Sequence, residues 1–252
     1  MESVLIVFLC SLIGGIISLI GGILLLANKK RDKLSEYATS FAAGALLAAA
    51  FIDIIPRIME STEPHAISYF ILIGLLIFFI FESLVKWFHH HHPGDEKRQI
   101  DSVVPMVIIG GGIHNFIDGI AIAAGFLVSV ETGIIVTFAV AVHEVPQKLG
   151  NLGLLFHKGL KRGKALLINA LSALVTVISA TIFYVIGEVV EVSFMPLLAI
   201  MAGFFIYIAA SDLIPNIHHE KNRKKVILQT LILLLGVAVV WIIIVSMHGL
   251  ID

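Results

Sequence analysis

The sequence predicts an all-α membrane protein of eight transmembrane helices, in a 3+2+3 arrangement with an inverted repeat. Composition gives the first reason. Of 252 residues 58% are hydrophobic and only 14% charged, which takes the chain out of the soluble globular class. The second is a series of apolar stretches, each long enough to span a bilayer. The third is a short pattern that recurs in two of those stretches. A formal net charge of −1 gives no basic surface for nucleic acid. The single Cys10 excludes an intramolecular disulfide and a thiolate metal cage.

The apolar segments fall at about 4–27, 35–58, 66–88, 102–128, 131–157, 165–187, 194–217 and 225–247, so residues 1–252 read as a single transmembrane domain. The first is too long for a signal-peptide core and lacks a basic flank; it is expected to be a retained helix. Its Gly14, Gly15, Ser18, Gly21 and Gly22 suit close helix contact in lipid. In the fourth segment Gly110, Gly111 and Gly112 are expected to loosen the helix, and in the fifth Pro146 removes a backbone donor and predicts a kink.

Basic residues set the orientation. Lys29, Lys30, Arg31 and Lys33, then Lys86, Lys97 and Arg98, then Lys158, Lys161, Arg162 and Lys164, then Lys221, Arg223, Lys224 and Lys225 occupy alternate connections. The intervening connections carry Glu60, Glu63, Glu131, Glu188 and Glu191. Positive charge stays inside, so both termini are expected outside, in the plasma membrane.

The repeat lies in the second and seventh segments. AAGALLAAAFIDIIP, residues 42–56, aligns with MAGFFIYIAASDLIP, residues 201–215, and pairs Gly44 with Gly203, Asp53 with Asp212 and Pro56 with Pro215. The two segments run in opposite directions on this topology. An inverted repeat around a midplane site is a transporter architecture. Asp53 is then expected toward the outer mouth and Asp212 toward the inner one.

The fourth and fifth segments hold the chemistry. His114, Asn115 and Asp118 interrupt one apolar run; His143, Glu144, Gln147 and Lys148 interrupt the next. Ionisable groups at such depth cost roughly 2.5–3.5 kcal/mol even on the insertion scale, so they face a partner, a cavity or an ion. His114 and Asp118 share one helix face, as do His143 and Gln147. Both histidines lie about twelve residues into their helices, near the midplane at 1.5 Å per residue. A plain interhelical hydrogen-bond network would suffice for a lone histidine. Two histidines and two carboxylates at one depth favour a site for a divalent first-row ion, zinc foremost, with iron(II) or manganese as alternatives. The ion is expected to be a transported substrate, and no cofactor is expected. Lys148, four residues after Glu144, is placed for an ion pair and would compete with a second cation, so one ion at a time is expected.

HNFIDGIAIAAGF, residues 114–126, and HEVPQKLGN, residues 143–151, resemble the signature helices of the ZIP (Zrt- and Irt-like protein) family of divalent metal transporters. Its LIV-1-like branch, with HNFxDGxAIGA and HExPHExGD, is the nearest match. FIDIIP and SDLIP also resemble that family's second and seventh helices. The resemblance implies that His114, Asn115, Asp118, His143, Glu144 and Gln147 line the transport site. It also implies eight helices with both ends outside, uptake toward the cytoplasm, and a homodimer in membrane lipid. Gln147, Lys148 and Asn151 depart from the branch's His, Glu and Asp, which bears on a two-metal site and on metal preference. Asp53 stands where many relatives have histidine, a spot suited to a ligand at the mouth.

His89, His90, His91 and His92 begin a charged linker over 89–101 and can bind divalent ions loosely. His218 and His219 are candidates for an exit path. Two other classes share parts of this pattern. A non-transporting metal sensor would share the fold, with Lys148 in the place of a metal. An intramembrane metallohydrolase is disfavoured because HEVPQ lacks the second histidine of HExxH.

Overall fold

The structure is a computed structural model that describes residues 2–27, 31–60, 63–90, 96–157, 160–190, 193–218 and 222–248. The helices are α1 (Glu2–Ala27), α2 (Arg31–Ala48), α3 (Ile55–Met59), α4 (Pro64–His90), α5 (Glu96–Val128), α6 (Val130–His157), α7 (Arg162–Val189), α8 (Met195–Tyr207), α9 (Ile214–His218) and α10 (Arg223–His248). No strand occurs among the described residues. Among the described residues, seven stretches are long and apolar enough to cross a membrane. The 28-residue α6 has the length as well, but its interior holds the polar run His143 to Lys148. The protein is an all-α membrane protein.

Two turns of π-helix join the short helices to the long ones. Ala49–Ile54 links α2 to α3, and Ile208–Leu213 links α8 to α9. Ile55 N–H bonds to Ala50 O and Ile214 N–H to Ala209 O, each five residues back. Pro56 and Pro215 stand one residue later in each case. Neither can donate to the carbonyl four residues before it, and its ring crowds that carbonyl, so the turn widens. Asp53 and Asp212 are each the fifth residue of their π turn.

The two broken helices run antiparallel. α2 lies against Ile208–Leu213 and α9, while α8 lies against Ala49–Ile54 and α3. Each also crosses a long helix at a glycine pair. A Cβ on Gly44 would strike Leu233 O of α10, and one on Gly236 would strike Phe41 O of α2. In the other repeat a Cβ on Gly203 would strike Ile71 O of α4, and one on Gly74 would strike Ile200 O of α8. The same three-residue offset recurs at all four places, so Gly44 and Gly236 correspond to Gly203 and Gly74. Without a hydrophobic force between helices in lipid, such backbone approach is a principal source of association.

The fourth and fifth segments each remain a single helix at the glycines and the proline singled out from sequence. α5 passes through Gly110, Gly111 and Gly112 as one helix, and α6 through Pro146. α5 also starts at Glu96, so the charged linker expected to reach Asp101 is shorter. Glu, Lys, Arg and Gln at 96–99 are good helix formers.

α5 and α6 form the centre, joined only through Ser129, whose Oγ accepts the Thr132 N–H at 3.1 Å as a cap on α6. α5 packs on α7 and α6, and α1 packs on α6 and α7. Gly119 lets α5 approach Thr176 and Ser179 of α7.

Candidate metal centre

α5 and α6 meet with their polar turns at one level. His114 Nε2 lies 3.3 Å from His143 Nε2 and 3.4 Å from Asp118 Oδ2, while His143 Nε2 lies 3.6 Å from Asp118 Oδ1. A tetrahedral ion with bonds of about 2.0–2.1 Å holds its ligand atoms roughly 3.3–3.4 Å apart. The two imidazole nitrogens stand at that spacing, each has a different Asp118 oxygen close by, and one donor atom from each residue lies within 4.8 Å of the others, a group that could hold one small divalent ion.

The chemistry of the donors agrees. His143 Nδ1 lies 3.1 Å from the Ala139 carbonyl, a group that only accepts. The ring proton therefore sits on Nδ1, and the Nε2 lone pair points into the cluster. Asp118 and His143 are buried and His114 is partly so. Asp118 Oδ2 receives no hydrogen bond, so a cation would satisfy it. Three protein ligands leave a fourth position open, the feature of sites that exchange what they hold. Among the described residues this is the one such group of His, Cys, Asp and Glu.

Beside it lies a second network. Lys148 is 0% exposed and Glu144 1%. Lys148 Nζ lies 3.4 Å from Glu144 Oε1 and donates to Ser172 Oγ at 3.0 Å and to Asn115 Oδ1 at 3.3 Å. Asn115 Nδ2 donates to Ser172 Oγ. Ser18 Oγ donates to Glu144 Oε2 at 2.7 Å. Gly22 permits this, since α1 passes against the Lys148 backbone there. A buried ammonium is tolerable only when its charge and donors are met in this way.

The profile of the ZIP zinc transporter family matches residues 91–244, a span that contains the His114, Asp118 and His143 group and the Lys148–Glu144 pair. The chain belongs to the ZIP family. It is a LIV-1-like member. Human "Zinc transporter ZIP10" is 33% identical over 177 residues, 63% of this chain and 21% of that protein. Human "Zinc transporter ZIP6" is 38% identical over 115 residues, 46% of this chain and 15% of that protein. Human "Zinc transporter ZIP4" is 39% identical over 110 residues, 44% and 17%. The chain thus spans about a fifth or less of the length of these relatives.

Of the residues singled out from sequence, the structure of this ZIP member brings His114, Asp118 and His143 together. Asn115 and Glu144 turn to Lys148 and the serines. Gln147, half-buried, stands one turn beyond His143. Asp53 is buried and ion-paired to Arg57; Asp212 is exposed. His91, His92 and His219 lie outside the described residues, as do the side chains of His89, His90 and His218.

Sequence reasoning missed an aromatic cover on His114. The Phe78 ring meets His114 edge-on at 5.8 Å and lies 5.2 Å from Phe204 and 5.5 Å from Tyr207. Tyr207 OH donates to Glu82 Oε2 at 2.6 Å. It also missed Ser18 and Ser172. Glu82 carried a readable signal, a carboxylate inside an apolar segment; the serines read as packing residues.

Proposed function

We propose that this chain carries a divalent transition-metal ion, zinc first and iron(II) or manganese next, into the cytoplasm by alternating access. One observation carries the reading: two imidazole nitrogens and a carboxylate converge at ligand-to-ligand spacing inside a membrane-spanning bundle. The named activity of the relatives supports zinc, and family membership supports transport over hydrolysis. Glu144, the carboxylate a hydrolase would use as base, is engaged by Lys148 and Ser18.

In this reading His114, Asp118 and His143 hold the ion, with Gln147 offering a neutral oxygen, and Asn115 and Glu144 frame the site from behind. Asp53 and Asp212 serve the two mouths. His218, His219 and the His89 to His92 run receive the ion on the inner side. The antiparallel pair α2–α3 and α8–α9, with α4 and α10, would rock against α5 and α6. Both termini lie outside, and two copies associate in the plasma membrane. Lys148 is the resident cation of the neighbouring pocket, so one ion crosses per cycle.

Lys148 also favours a second reading, a sensor that binds metal and does not carry it. Uptake of zinc, iron(II) and manganese into proteoliposomes separates the two, comparing the parent with His143→Ala. Saturable flux in the parent, lost in the variant, is expected. A folded parent that moves none of the three ions above empty liposomes sinks transport and favours the sensor.

A further inference from the structure

Asp53 and Asp212 hold equivalent places in the two broken helices, but the repeat diverges one residue past the proline. Arg57 follows Pro56, whereas Asn216 follows Pro215. Arg57 Nε donates to Asp53 Oδ1 at 3.0 Å. Asp53 is 2% exposed, and the Arg57 side chain is 22% exposed. Asp212 is exposed, and the residue at the position matching Arg57 is Asn216. The equivalent carboxylates thus differ in burial, Asp53 buried and ion-paired to a guanidinium and Asp212 exposed.

We propose that Arg57 is a specificity-determining residue of the pathway: a tethered monovalent cation that occupies the Asp53 carboxylate until a divalent ion displaces it. The proposal rests on the transport reading above. A guanidinium does not lose its proton in a protein, so Asp53 loses this cation only when the side chain swings away. Its partial exposure gives the head group somewhere to go while the stem stays against the helix. At equal distance a divalent ion attracts the carboxylate twice as strongly as the guanidinium does. A sodium or potassium ion carries no such advantage and cannot offset the lost charge-assisted hydrogen bond. Arg57 therefore keeps alkali ions off Asp53 and raises the zinc concentration at which the mouth fills.

The test is initial zinc uptake into proteoliposomes across a range of zinc concentrations, in potassium or choline chloride of equal ionic strength. The proteins are the parent, Arg57→Gln, Arg57→Lys, Asp53→Asn, and Asp53→Asn with Arg57→Gln. Arg57→Gln should lower KM by roughly two- to fivefold, the range a partly exposed ion pair supports, with the maximal rate unchanged. Potassium should inhibit this variant and leave the parent alone. Arg57→Lys, which keeps the charge and loses the planar fork, should fall between. In the Asp53→Asn background Arg57→Gln should have no effect on KM, a result that an ion pair serving only to hold the turn together would not give. An unchanged or raised KM in folded Arg57→Gln, or that variant's indifference to potassium, overturns the proposal. Should Arg57→Gln fail to fold, a parental KM in Arg57→Lys overturns it instead. A parent without zinc uptake sinks the transport reading and this proposal with it; parental uptake with unaltered Arg57→Gln kinetics sinks the role of Arg57 alone.

Discussion

Lys148 Nζ lies 3.4 Å from Glu144 Oε1 with neither side chain reaching solvent. The pair joins α1, α5, α6 and α7, because Ser18 holds the far carboxylate oxygen while Asn115 and Ser172 take the remaining ammonium donors. Breaking a buried pair by removing one partner costs far more than replacing both, since the survivor keeps its charge without a counter-ion.

Lys148→Met should therefore destabilise the protein by about 3–5 kcal/mol, seen as a lower melting temperature in detergent. Lys148→Met with Glu144→Gln should recover most of the loss, and the two changes should be strongly non-additive. Zinc should raise the melting temperature of Lys148→Met more than that of the parent, because a cation can then sit among the Glu144, Asn115 and Ser172 oxygens. Equal losses in the single and double variants would show that packing of the lysine stem, not its charge, is what matters.

Glycine pairs make a second prediction. Gly44 and Gly203 each face a backbone carbonyl of a neighbouring helix, Leu233 O and Ile71 O, which cannot rotate aside. Gly153 in α6 has no heavy atom within 4 Å of where its Cβ would lie. Gly44→Ala and Gly203→Ala should each cost about 1–3 kcal/mol through forced separation of the helices. Gly153→Ala should be neutral or stabilising by up to about 1 kcal/mol, the difference in helix propensity. Thermal melting of the three variants checks this. Indistinguishable melting temperatures would mean that both crossings yield.

These two regions also mark how far the sequence could be read. The membrane helices were legible because apolar runs end where Lys, Arg, Glu and Pro begin, and His114, Asp118 and His143 were legible because charge inside such runs needs a reason. The partition of the polar residues into a metal face and an ammonium network was not. It depends on Ser18 and Ser172, and a hydroxyl in an apolar helix reads equally well as a packing residue. Gly110, Gly111, Gly112 and Pro146 suggested loosened backbone at the centre, yet α5 and α6 stay helical there. Packing against α7 and α1 overrides local propensity in both. The widened turns lie instead before Pro56 and Pro215, where the repeat had already paired the same residues.

That pairing supplies the last prediction. In each π turn the proline removes the donor that would close an ordinary α-helical bond to the carbonyl four residues back, Ile52 for Pro56 and Ser211 for Pro215. The extra residue accommodated by the turn shifts the helical phase of the residues before it relative to those after it, and Asp53 and Asp212 lie within that turn. Pro56→Ala or Pro215→Ala returns the donor and lifts the ring clash, so the turn can relax toward α-helix. Each carboxylate would then rotate away from its present direction. The expected result is reduced zinc flux into proteoliposomes with a melting temperature equal to or above the parent's, the reverse of what a merely structural proline would give. A lower melting temperature with unimpaired flux in the protein that remains folded would mean that the prolines stabilise the turns and do not aim the carboxylates.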